Sequence, residues 1–191
     1  MFGTPPSPTR VSLAELPVAL RRSELAAPYL AAQSAGQHAD AAVAATTAMQ
    51  RAVTQGDWWP ADIWGHRALW HFERAGMELE ATRAARLIGD LRSAAGDPAS
   101  SRRYYAEAIS EARDLGAERE QGLAALGMGR ATLDLSDVTT ARRLAQIAVE
   151  LLERSGAPID EIDAARQLRG EEKEVSCAHG GICTWRSWVP V

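Results

Sequence analysis

Cysteine is almost missing from this chain. Of 191 residues only Cys177 and Cys183 are cysteines, and both lie close to the C-terminus. The rest of the chain therefore has no disulfide framework, which agrees with a cytoplasmic setting. Long apolar runs are missing too: none approaches the roughly 20 residues that span a bilayer, so no membrane role is expected. The first ten residues, MFGTPPSPTR, lack the apolar stretch of a secretory signal, and their Pro, Ser and Thr content reads as a disordered segment over 1–11. Positive charge is not in excess. With a net charge of −4 there is no basic stripe to meet nucleic-acid phosphates, which excludes a dedicated nucleic-acid binder. Catalytic signatures are absent as well. No nucleophile–base pairing or metalloprotease spacing occurs, so no catalytic residue, metal site or cofactor is assigned.

What the chain does have is a period of 40 residues. Gly36, Gly76, Gly116 and Gly156 are evenly spaced, and so are Gly56-Asp57, Gly96-Asp97 and Ser136-Asp137. Small residues keep the same step at Ala61/Ser101/Ala141 and at Ala68/Ala108/Ala148. One supersecondary unit used three times and stacked is the expectation, over 37–76, 77–116 and 117–156. Such a stack suggests a surface that holds something.

Each unit divides into two helical patterns. Leu79, Leu87, Ile88, Leu91 and Ala95 mark one face of a helix that Gly96 ends. Asp97 then offers an N-cap, with Pro98 at the first helical position, where a missing N–H costs nothing. Tyr104, Tyr105, Ala108, Ile109, Ala112 and Leu115 form the buried side of the next helix, which stops at Gly116. The same reasoning places six helices at about 38–55, 59–75, 77–95, 98–115, 118–135 and 138–155. Alanine recurs where two helix axes must come close. Both ends read as caps. Ser12 and Glu15 resemble a capping box, with Pro17 and Pro28 breaking the helices of 12–36. Ile159, Ile162, Ala165 and Leu168 mark a last amphipathic helix within 157–170.

A small residue late in one helix, Gly-Asp at the turn and alanines seven apart in the next helix resemble the tetratricopeptide repeat. Gly89, Gly96-Asp97, Tyr104-Tyr105 and Ala108 carry the likeness best. Gly129, Ser136-Asp137, Ala141 and Ala148 follow, then Gly56-Asp57, Ala61 and Ala68. The likeness covers 37–156. Its period is longer than the family's usual 34, as in the longer repeats of bacterial regulators. It implies an all-α, right-handed solenoid of helical hairpins whose first helices line a concave groove. The implied groove residues are Val43, Thr46, Gln50 and Val53, then Arg83, Arg86, Asp90 and Ser93, then Leu123, Leu126, Arg130 and Leu133. A groove polar at one end, basic in the middle and apolar at the other would bind a protein or peptide. Arg83, Arg86 and Arg130 would take a carboxylate by two-point guanidinium forks, or else pair with nearby Glu and Asp.

Trp58 and Trp64 fall at positions that the repeat buries, whereas Trp59 and Trp70 point elsewhere on the helix and either pack under the N-terminal segment or stand exposed as partner anchors. His66 and His71, five apart, do not share a helical face. The fragment 127–132 (GMGRAT) superficially resembles a phosphate loop, but it falls inside a helix with no strand before it. The tail, 171–191, breaks the pattern. Cys177, His179 and Cys183 lack the close pairing and fourth ligand of a zinc site. Ile182, Trp185, Trp188 and Val189 would either fold back on the groove or lie disordered. A second reading makes this stretch a peptide product on a folded leader. Gly180-Gly181 resembles the double-glycine cleavage site of ribosomally made, modified peptides. Cys183, Thr184, Trp185, Ser187 and Trp188 are residues that peptide-modifying enzymes alter, which would make such enzymes the partners.

Overall fold

A computed structural model describes residues 26–170, together with the short segments 175–176 and 182–183. Its helices are α1 (Ala26–Ser34), α2 (His38–Thr54), α3 (Trp58–Arg74), α4 (Glu78–Ala94), α5 (Pro98–Asp114), α6 (Glu118–Asp134), α7 (Val138–Arg154) and α8 (Ile159–Arg169). Helices α2 to α7 are each 17 residues long and start at 38, 58, 78, 98, 118 and 138. The step is therefore 20 residues per helix, and the period of 40 is two such steps.

The cause is one turn used seven times. Gly36, Gly56, Gly76, Gly96, Gly116, Ser136 and Gly156 all take positive φ, between 64° and 79°. In each turn this residue's N–H donates to the carbonyl three back, and the next residue's N–H to the carbonyl five back, as in Gly96 to Ser93 and Asp97 to Arg92. That pair of bonds is the Schellman closure. In the first six turns the residue after the turn also caps the following helix, its carbonyl accepting from the N–H four residues on, as Asp97 does from Ser101. One residue thus ends one helix and begins the next. Asp97 and Asp137 add a side-chain cap, accepting from the N–H groups of Ser100 and Thr140 at 3.0 Å each.

Ser136 is the one L-residue that the described chain holds in the left-handed region, a conformation that costs a side chain about 1–2 kcal/mol. Glycine there also loses more freedom on folding. Ser136→Gly is therefore expected to raise stability by about 0.5–1 kcal/mol, read as a higher urea midpoint at unchanged slope.

The small residues of the period sit where the helices meet. Ala61, Ala68, Ser101, Ala108, Ala141 and Ala148 are all fully buried. Consecutive helices pack on one another along the chain, and α4 also touches α6, and α6 touches α8. Helices α4, α6 and α8 therefore line one side of the stack, and the 40-residue period puts α2 in line with them. The core falls into a cluster at each end and a small one of Ala85, Ala108 and Ala124 between them. Tyr29, Met49, Trp64 and Phe72 fill the N-terminal end, and Leu126, Val149, Leu152 and Ile162 fill the C-terminal end. Caps close it, α1 on α2 and α8 on α7. Among the described residues the fold is all-helical apart from a two-residue antiparallel ladder, in which β1 (Val175–Ser176) pairs with β2 (Ile182–Cys183) so that Val175 faces Cys183.

One expectation about the tryptophans changes here. Trp64 is buried, but Trp58 is 40% exposed. It is the first residue of α3, so no turn precedes it for its side chain to pack upon. The expected capping box at Ser12 lies outside the described residues.

Candidate functional site

The side lined by α2, α4 and α6 holds every groove residue expected from the sequence, yet it does not present them all. Val43 and Gln50 are exposed, and Thr46 is half-buried and spends its hydroxyl on the Ala42 carbonyl at 2.9 Å. Val53 packs against the N-terminal core. Leu126 is buried, 4% exposed, and Leu123 packs against the C-terminal cluster, so only Leu133 of the three leucines stands out. The reason is the position of α6. It is packed by α4, α5, α7 and α8, which leaves a narrower free face than a helix with fewer neighbours would have.

The middle of this side is charge-balanced rather than basic. Glu120, in the first turn of α6, is buried at 8% exposure. It takes the Nε–H of Arg83 on one carboxylate oxygen at 2.9 Å and the Nε–H of Arg86 on the other at 3.2 Å. Arg86 also donates through Nη1 to Asp90 at 2.9 Å, and the Tyr105 hydroxyl donates to the other Asp90 oxygen at 2.7 Å. Arg83 has Glu80 at 3.8 Å as a looser second partner. Arg83–Glu120–Arg86–Asp90–Tyr105 is thus one continuous chain across α4, α5 and α6. Loss of water raises the Asp90 carboxyl above its ordinary range, against the pull of Arg86, Tyr105 and Arg130. Burial first, and then the Asp90 charge, push the Tyr105 hydroxyl far up, so it remains a donor. Arg130 is exposed and feels Asp90 as a charge, but it has no hydrogen-bonded partner among the described residues.

Sequence reasoning missed Glu120 entirely. It occupies the same first-turn place as Asp40 and Glu80 (steps of 40), and nothing local separates the buried one from the others. Removing it by Glu120→Ala would leave Arg86, only 19% exposed as a side chain, without its bridging anion. The expected loss is about 2 kcal/mol, below the full cost of breaking a buried pair because Arg83 is half in water. Urea unfolding at pH 7 measures it, and the apolar double variant Glu120→Leu with Arg86→Met should recover most of it.

Tyr105 organises this region. At the equivalent step in the other helices stand Ala45, Gly65, Ala85, Ala125 and Ala145. The ring fits only because Gly89 on α4 and Gly127 on α6 have no Cβ, and added ones would lie 2.8 Å and 2.4 Å from it. The fragment 127–132 is therefore helix interior, and its first glycine is a notch for a ring.

Trp59 is exposed, but Trp70 is not the second anchor. It is half-buried against the rings of His38 and His71, with the Arg74 guanidinium 5.7 Å from its centre. The exposed pair is Trp58 and Trp59. His66 and His71 go separate ways. His66 donates from Nδ1 to the Asp62 carbonyl and meets the Tyr104 hydroxyl at 2.8 Å, whereas His71 turns to α1 and α2. Among the described residues no cluster of three or more His, Cys, Asp or Glu could hold a metal ion, and no helix is long and apolar enough to cross a membrane. Gly180, Gly181, Thr184, Trp185, Ser187 and Trp188 lie outside the described residues. Comparison with known proteins finds no family model that matches the chain and no curated protein that matches it.

Proposed function

We propose that this chain is a cytoplasmic, tetratricopeptide-like scaffold without chemistry of its own, binding a protein or peptide segment along α2, α4 and α6. One observation carries the reading. Arg130 stands exposed and without a hydrogen-bonded partner next to a network in which every carboxylate oxygen of Asp90 and Glu120 already holds a donor. The groups left over are N–H donors, those of Arg130 and the outer nitrogens of Arg83, which only Glu80 approaches, at 3.8 Å. The fitting occupant is an acceptor, a carboxylate of a peptide, with Leu133 as apolar contact. Because Glu120 already fixes Arg83 and Arg86, little side-chain freedom is left to lose on binding.

Photo-crosslinking in the native host tests this. A benzophenone amino acid at Gln50 or Leu133 should trap a discrete partner, and Arg130→Glu should abolish the adduct. The same group at Arg143 or Glu150, on α7, should trap nothing in common with them. Adducts only from α7 would overturn the groove. The intact mass of the chain from that host separates the alternative. A full-length, unmodified chain fits the scaffold, whereas loss or modification of the residues after Gly181 would make it the precursor of a modified peptide.

A further inference from the structure

His71 is fully buried, and it ties three helices together. Its Nε2 meets the hydroxyl of Tyr29 on α1 at 3.2 Å, and its Nδ1 meets Nδ1 of His38, the first residue of α2, at 3.0 Å. Two imidazole nitrogens at that distance share one proton, because one must donate and the other accept. We infer that the Tyr29–His71–His38 chain is an acid-released clasp, which holds α1 and the first turn of α2 on the stack while His71 is neutral and lets them go when His71 is protonated.

The geometry gives the mechanism. A second proton on His71 would make both of its ring nitrogens donors, so the Tyr29 hydroxyl could no longer donate to Nε2, and it would leave a positive ring buried from water. The groups facing His71 offer that charge no relief. From α1 comes Tyr29, from α2 His38, and from its own helix Arg67, whose guanidinium lies 5.4 Å from the Tyr29 ring centre and 5.5 Å from that of Trp64. Both His38 and Arg67 oppose a positive charge on His71, and no carboxylate is among the charges acting on it. Arg67 itself has a buried nitrogen, Nη1, without a hydrogen-bond partner. Dehydration, then His38 and Arg67, hold the His71 ring neutral down to about pH 4. Helix α1 has nine residues, too few to persist once undocked. Its release would uncover the end of the core at Met49 and Trp64.

Hydrogen exchange read by mass spectrometry on the full chain tests the clasp, with rates corrected for the intrinsic effect of pH. Because the undocked ring takes a proton below its ordinary 6.5, opening becomes easier as pH falls towards 4. Between pH 6.5 and 4.5, peptides covering 26–34 and 38–45 should therefore lose protection at least tenfold, while those in 118–154 keep theirs. In His71→Phe the same peptides should show no dependence on pH. Unchanged protection in the natural chain, or an equal loss in His71→Phe, would overturn the proposal. If that variant does not fold, the imidazole resonance of His71 in the natural chain decides: still neutral at pH 5.5 supports the clasp, and titration at 6 or above removes it.

Discussion

Gly127→Ala is expected to cost about 3 kcal/mol or more, the upper end for one methyl forced into a packed core. The added carbon would sit 2.4 Å from Cε1 and 2.6 Å from Cζ of Tyr105. The ring has little room to step away, because it is already packed so close to Gly89 of α4 that a Cβ there would lie 2.8 Å from Cε1. Nor can it rotate freely, since its hydroxyl is held by Asp90 at 2.7 Å. Relief must come from separating α5 and α6 or from breaking the Tyr105–Asp90 bond, and the second would disturb Arg86 and Glu120 beyond it. For a chain of this size the midpoint of thermal unfolding should fall by roughly 6–12 °C. A double-mutant cycle identifies the cause. In a Tyr105→Ala background the same methyl should cost less than about 1 kcal/mol. A cost that stays the same in both backgrounds would mean that the ring is not what the methyl meets.

Acid should weaken the fold through His71 by an amount of similar size. Its ordinary value is 6.5 and the folded chain lowers it to about 4, so between those limits the unfolded chain binds the extra proton and the folded chain does not. Stability therefore rises with pH across this window. The contribution is fully present above about 6.5 and is lost as pH falls towards 4. A shift of this size on a ring with no exposed surface is worth on the order of 3 kcal/mol. Burial works the other way on Glu73, Glu111 and Asp90. Their carboxyls are raised, so they favour the folded state as acid is added and mask part of the slope. The difference between the natural chain and His71→Phe, from urea midpoints at pH 7, 6, 5 and 4.5, removes that background. Parallel curves for the two proteins would refute the assignment.

Much of the architecture is legible in one dimension because helix ends are local. A glycine that can take positive φ, the next residue that both closes and caps, and a small residue three or four places on recur without reference to distant contacts. That is why the helix starts fall on a regular ladder, and why Ser136 could be read as a glycine site before its φ was known. The groove was legible only as a set of positions. Val43, Gln50, Arg83, Arg130 and Leu133 are exposed, but Leu126 is buried. The number of helices packed around α6 is not written in α6.

The sequence alone determined the period, the turns and which faces of the helices carry small side chains, since each depends on residues within one or two turns of chain. Tertiary structure decided the charges and the rings. Glu120 meets Arg83 and Arg86 from 34 to 37 positions away, and His71 meets Tyr29 and His38 across 42 and 33. Tyr105 finds its space in glycines on two other helices. Whether a polar side chain is solvated, paired or buried depends on what stands opposite it, and the stacking of the hairpins supplies that partner.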